Sequence, residues 1–256
     1  MNQIEFESSG DELVAFEEGT GESVVMLHGF MANHVAAAPY VASLLPHYRV
    51  VLPDLRGSGA SHSSSELTFD QLADDLAALL DHLDVDQAAI GGVSSGSGVA
   101  VRFALTHPER VSALVLVHPV YAGAAIGYTQ AQQDAFTGMD ALARRAPAEG
   151  IEVMKPLYAT LPEPIRARAL AMLQGFGPES VAATSHFLVS GAQPFENPSG
   201  LGSITIPTLL IQGDDSLHPA ETSASYAENL PNCLVTEGTS PGDIGEKILG
   251  FCESMG

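Results

Sequence analysis

The stretch Asp86-Gln87-Ala88-Ala89-Ile90-Gly91-Gly92-Val93-Ser94-Ser95-Gly96 decides the fold. Its first part, residues 86–93, is a short apolar run of the kind that forms a buried parallel strand. Residues 96–106 read as a helix. Between them Gly92-Val93-Ser94-Ser95-Gly96 matches G-x-S-x-G. In a chain with 25 glycines the match alone says little. Between a strand and a helix it has a physical meaning: a sharp turn lifts the Ser94 hydroxyl above the sheet edge as a candidate nucleophile. Glycines two residues to either side let strand and helix approach closely. Ser95 has the wrong glycine spacing for that role.

Outward from this point, strands and helices alternate. Residues 4–25 carry turn signals at Ser9-Gly10 and around Gly19 to Gly21, and read as an edge hairpin running into a buried run that ends at His28-Gly29. Residues 35–45 read as a helix and 49–54 as a strand. Residues 68–83 place Leu72, Leu76, Leu79, Leu80 and Leu83 at helical spacing, with Thr68 and Gln71 as a capping-box pair. Residues 111–117 form the next strand. The alternation stops at His118-Pro119 and resumes with a strand at 206–212, a helix at 219–230, a strand at 233–236 and a closing helix at 242–253. The reading is an α/β fold, a mostly parallel sheet with helices on both faces. Residues 1–118 and 206–256 make the core domain, and residues 119–205 a helical cap insertion.

Composition narrows the classes of function. With 31 acidic and 10 basic side chains the net charge is −21. A body this acidic repels phosphate backbones and anionic lipid, so neither a nucleic acid nor a membrane surface is an expected partner. Residues 119–205 hold seven acids and five bases, or −2, which leaves −19 on the rest of the chain. That distribution fits solvation of the outer surface, or a salty milieu, better than attraction of a cationic substrate. Hydrophobic residues make up 45%, enough for a sizeable core. No run of 18 apolar residues occurs, and the first residues have neither the basic nor the apolar region of a secretory signal. The expectation is a cytoplasmic protein in which Cys233 and Cys252 are reduced thiols.

Several motifs in order make the chain resemble the α/β-hydrolase superfamily. His28-Gly29-Phe30 is similar to that family's oxyanion loop, and Asp54-Leu55-Arg56-Gly57-Ser58-Gly59 to its D-x-R-G-x-G turn. His107-Pro108-Glu109-Arg110-Val111 resembles the link out of the nucleophile helix, and residues 119–205 lie where members carry a cap. The resemblance implies that Ser94 is the nucleophile and that the backbone N–H groups of Phe30 and Ser95 form the oxyanion hole, without need of the Ser95 side chain. His28 and Gly29 belong to that loop; for the His28 ring a structural role in holding the loop is favoured. Arg56 is read as a loop organiser.

The family's acid follows the strand after the cap, shortly before a proline. Here the chain reads Gly213-Asp214-Asp215-Ser216-Leu217-His218-Pro219, and counting back from Pro219 selects Asp215, with Asp214 the runner-up. The family's general base, a histidine after the last strand, is missing: Glu237-Gly238-Thr239-Ser240-Pro241-Gly242-Asp243 passes straight into the last helix, and no histidine follows His218. A serine hydroxyl near neutral pH needs an imidazole to take its proton. Another histidine must serve, His118 or His218 ahead of His34 and His186, or the chemistry differs.

The resulting expectation is an enzyme hydrolysing a small, neutral or apolar ester, thioester, lactone or related carbonyl compound through Ser94. The alternative is a lyase, cyclase or isomerase, or an inactive relative that binds a small molecule. No cofactor and no metal are expected, since His28 and His34 lack a third ligand. Met139, Met154, Met172, Phe136, Phe176 and Phe187 are candidates to line a pocket or to pack the segment 119–205. Monomer and homodimer are not separated by the sequence.

Overall fold

The computed structural model describes residues 1–61, 67–163 and 165–255, with the side chains of residues 165 and 168 left aside. Its strands are β1 (Asn2–Ser8), β2 (Asp11–Glu18), β3 (Ser23–Leu27), β4 (Arg49–Pro53), β5 (Ala88–Val93), β6 (Val111–Val117), β7 (Thr208–Ile211) and β8 (Cys233–Thr236). Its helices are α1 (His34–Ala37), α2 (Phe69–His82), α3 (Ser95–Thr106), α4 (Gln130–Ala143), α5 (Ala146–Glu149), α6 (Ile165–Leu173), α7 (Pro178–Val189), α8 (Ala220–Asn229) and α9 (Pro241–Glu253).

The strands form one sheet in the order β1-β2-β4-β3-β5-β6-β7-β8. β1 and β2 pair antiparallel, as do β2 and β4, and every later pairing is parallel. β3 shows why the central strands read as unbroken apolar runs. Val25 and Leu27 face a core containing Leu72, Leu76 and Leu79 of α2 and Phe103 of α3. Val24 and Met26 face a second core containing Ile244, Ile248 and Phe251 of α9. With both faces covered, every position is buried. The doubly covered, mostly parallel sheet read from the sequence is present.

Local readings needed three adjustments. The helix expected at 35–45 is a short α1 followed by 3-10 turns at Ala38–Tyr40 and Ala42–Leu44. Pro39 has no N–H to continue an α-helical ladder. The strand expected at 206–212 begins only at Thr208, after Pro207. At α2 the Thr68 side chain accepts from Gln71 N–H at 3.0 Å, but the Gln71 amide turns to Ser9 and Asp75 instead of back to Thr68. Half of the expected capping box is therefore formed there, while a complete one opens α4 at Thr129 and Gln132.

Among the described residues, 119–205 contain no strand. This segment lies against loops that leave the carboxyl ends of the sheet. Thr184 Oγ1 accepts from Met31 N–H at 3.1 Å, Ser180 Oγ donates to Gly57 O, and Phe30 packs edge-on to Phe187 at 5.3 Å between ring centroids. Of the candidate lining side chains, Phe187 faces a cavity of about 650 Å³ beside α2 and α3, and Phe136 a smaller one. Met154 is buried against Leu173 and Val181, and Phe176 packs on that cluster.

The turn after β4 is held by a buried carboxylate. Asp54, 2% exposed, accepts the His34 N–H at 2.7 Å and the His34 ring at 2.9 Å on one oxygen, and the Ala60 N–H at 2.8 Å on the other. Burial alone would raise its pKa, but the bonds from the His34 side chain, Ala60 and His34 backbone together outweigh it and the carboxyl is lowered. A carboxyl lowered on folding stabilises fully above its unfolded pKa, and the contribution fades as pH falls through the folded value. Asp54→Ala is expected to cost about 2 to 3 kcal/mol near neutrality, because two backbone N–H donors and the His34 ring lose their buried acceptor. Urea titrations of both proteins should give a gap that narrows as pH falls below the ordinary aspartate range; a gap independent of pH contradicts this account.

Candidate active site

β5 ends at Val93, and α3 begins at Ser95. Ser94 lies between them with φ 55° and ψ −123°, the strained conformation a nucleophile elbow requires. Its N–H donates to Val117 O at 2.8 Å, which ties the elbow to β6. A Cβ on Gly92 would stand 2.2 Å from Gly96 O, so only glycine lets the chain fold back this tightly.

His218 Nε2 lies 2.9 Å from Ser94 Oγ. Its Nδ1 lies 3.0 Å from each oxygen of Asp215. The loop after β7 thus brings both an imidazole and a carboxylate to the elbow, three residues apart. Asp215 organises that loop as well: its Oδ1 accepts the backbone N–H of Leu217 at 2.8 Å and of His218 at 2.9 Å, an Asx-type turn. The chain then passes so close above Gly213 that a Cβ there would meet His218 Cβ at 2.4 Å. Desolvation would raise the Asp215 pKa, but the His218 ring and the two N–H donors overcome it and the carboxyl is held low. A carboxylate only accepts, so it fixes the neutral ring's proton on Nδ1 and leaves Nε2 free to accept from Ser94.

The carboxylate is nonetheless open to water, with its side chain 59% exposed against 15% for His218. Of the two aspartates weighed from the sequence, Asp215 makes these bonds. His118 directly follows β6 with φ 50°, and its ring lies 5.7 Å from that of His218. Desolvation, then His218, lower its pKa despite the two aspartates, so it is neutral near pH 7. It flanks the site without touching Ser94 in any hydrogen bond found among the described residues. His34 is bound to Asp54, and His186 lies 3.2 Å from Arg144, so neither reaches Ser94.

His28 holds its loop. Its Nε2 accepts Leu55 N–H at 3.0 Å, its Nδ1 lies 2.7 Å from Gly29 O, and burial keeps the ring neutral by lowering its pKa. Gly29 lies over the elbow, where a Cβ would be 3.4 Å from Ser94 Cβ. Phe30 and Ser95 also meet here, in a way the sequence does not announce. The Phe30 N–H donates to Ser95 Oγ at 2.6 Å. The donor expected to be free thus already has an acceptor, and the side chain thought dispensable supplies it. Between β8 and α9, where the family's histidine was sought, Ser240 Oγ instead caps the helix by accepting Asp243 N–H at 3.2 Å.

Sheet, elbow and flanking loops define a member of the α/β-hydrolase fold family, and the chain belongs to it: the family model described as "alpha/beta hydrolase fold" matches residues 22–241. A 2-hydroxy-6-oxononadienedioate/2-hydroxy-6-oxononatrienedioate hydrolase of Cupriavidus pinatubonensis is 30% identical over 250 residues, covering 84% of this chain and 78% of that protein. A 2-hydroxy-6-oxo-6-phenylhexa-2,4-dienoate hydrolase of Burkholderia cepacia is 31% identical over 248 residues, covering 84% and 79%. Among solved structures, a thermophilic esterase from Thermogutta terrifontis superposes with a TM-score of 0.81 at 24% identity, over 100% of this chain and 99% of that one. No helix among the described residues is long and apolar enough to cross a membrane, and no cluster of metal-ligating side chains occurs among them.

Proposed function

We propose that the protein is a serine hydrolase of small carbonyl compounds (esters, thioesters or lactones), with Ser94 as nucleophile, His218 as general base and Asp215 as the acid that orients it. One observation carries this reading: the His218 ring spans from Ser94 Oγ at 2.9 Å to Asp215 at 3.0 Å. In the reaction His218 Nε2 takes the Ser94 proton as Oγ attacks the carbonyl carbon. It returns that proton to the departing oxygen or sulfur, and water then releases the acyl group by the same steps in reverse order. The positive ring formed in between is stabilised by the Asp215 carboxylate.

Among the described side chains every Lys and Arg lies within ion-pair distance of a carboxylate, the buried Arg56 and the half-buried Arg102 included. His118 is neutral near pH 7. This favours a neutral acyl group over the dicarboxylates named for one of the relatives. The non-hydrolytic or merely binding alternative rested on the absence of a late histidine, and a histidine placed by another loop removes that motive.

Fluorophosphonate labelling read by mass spectrometry tests the proposal. The adduct is expected on the peptide bearing Ser94 and absent from Ser94→Ala. A panel of short p-nitrophenyl esters should be hydrolysed by the natural protein and not by the variant. An unlabelled Ser94 in folded protein overturns the reading.

A further inference from the structure

The hydrogen bond from Phe30 N–H to Ser95 Oγ bears on how the site starts a reaction. Ser95 opens α3, and the first N–H groups of a helix have no carbonyl within the helix to bond. Its own N–H is the first of these groups and lies directly after Ser94. Phe30 N–H is the other donor of a two-point oxyanion site, which must come within 2.7–3.1 Å of the developing charge. At 2.6 Å, Ser95 Oγ already stands where Phe30's acceptor must stand. Ser95 is 3% exposed and Phe30 8%, so this bond is shielded from competing water. Phe30 is held in turn by the edge of Phe187 at 5.3 Å. One N–H serves one short, straight bond, so the hydroxyl and an oxyanion are rivals for it.

We propose that the Ser95 hydroxyl is a built-in occupant of the oxyanion hole, which masks Phe30 N–H at rest and must turn about χ1 before the hole can accept a substrate oxygen. This rests on Ser94 acting as the nucleophile. Ser95 then acts through Phe30 as a positioning residue, and it restrains the reaction where its backbone N–H assists. The resting enzyme spends most of its time with the hole closed by its own side chain. The fraction with it open is set by one neutral hydrogen bond, a factor of about five.

The test uses the fluorophosphonate probe, whose phosphoryl oxygen enters the same hole while Ser94 Oγ bonds to phosphorus and fluoride leaves. Labelling rates of the natural protein, Ser95→Ala and Ser95→Gly are measured over a range of probe concentrations, with circular dichroism to establish that each is folded. Both variants free Phe30 N–H. They are expected to raise the second-order rate of Ser94 labelling about fivefold, with the gain in a lower half-saturating probe concentration and not in the limiting rate. A role confined to packing cannot give that gain. Equal rates overturn the inference, and slower rates overturn it too, by assigning the hydroxyl as a third donor to the oxyanion. If the natural protein fails to label at Ser94, the serine-hydrolase reading itself falls and takes this inference with it. Labelling at Ser94 without acceleration in the variants leaves that reading standing and removes only the inference.

Discussion

If His218 is the base as proposed, His218→Ala is expected to lower kcat on an activated ester by on the order of 10⁴- to 10⁶-fold, as loss of the base does in other serine hydrolases. The size follows from the absence of a substitute. His118 sits beside the His218 ring with no described bond to Oγ, and the His28 ring is engaged by Leu55 N–H and Gly29 O. His118→Ala, the control, is expected to lose less than about tenfold. Asp215→Asn falls between the two. A buried acid of this kind is worth about 10⁴ in kcat. Here the carboxylate is 59% exposed, water screens it, and a loss of about a hundredfold is expected. Combining His218→Ala with Asp215→Asn should add nothing to the loss from His218→Ala alone, because Asp215 acts only through the ring. Steady-state kinetics on one p-nitrophenyl ester decides all four. Near-normal turnover by His218→Ala, or a large loss in His118→Ala, would falsify the assignment of the base.

The largest effect on stability lies elsewhere. Arg56→Ala should destabilise the fold by about 3 to 5 kcal/mol. The Arg56 side chain is wholly buried. Its Nε and Nη2 donate to the two oxygens of Asp75 at 2.7 and 2.6 Å, Nη2 also to Ser8 O at 3.0 Å, and Nη1 to Asp11. The Asp75 bonds foremost raise the guanidinium's pKa further, against its desolvation. Removing it strands a carboxylate whose side chain is only 8% exposed, and this uncompensated charge is the main cost. At this chain length the melting temperature should fall by roughly 10 °C or more, read by circular dichroism. Arg56→Met with Asp75→Leu, which removes both charges and keeps the volume, should recover most of the loss. If the double replacement is as unstable as Arg56→Ala, packing and not charge is responsible.

The legible parts of the sequence and the obscure ones differ in kind. The sheet was legible because central strands bury both faces, and Val24 to Leu27 can only be such a run. Ser94 was legible because its conformation requires neighbours without side chains. Asp215 could be chosen by its distance from Pro219, since the length of the loop is a property of the chain. The choice between His118 and His218 was not available in the same way. It depends on whether the loop doubles back over Gly213, and the clue, an aspartate three residues before a histidine with a glycine before both, also fits an ordinary polar turn. The Phe30–Ser95 bond joins residues 65 positions apart through a backbone N–H, which carries no residue identity to read. The broken helix after His34 is the opposite case, because Pro39 was in view throughout.

The segment from Gly213 to Pro219 has one more consequence. Base and orienting acid commonly travel on separate connections, so that each must find the other when the site assembles. In the assignment proposed here three peptide links join them, and the Asp215 carboxylate that bonds the His218 ring also accepts from the backbone bearing it. The pair is a cassette whose internal alignment is local and whose only long-range requirement is to land against the elbow. A displacement of the loop would withdraw both groups together and return them already aligned, so the machinery would switch as a unit instead of degrading by steps. On the same assignment the connection between β8 and α9 has no chemical duty, and it becomes the place to open the chain for a tag or a circular permutation without touching the proposed proton relay.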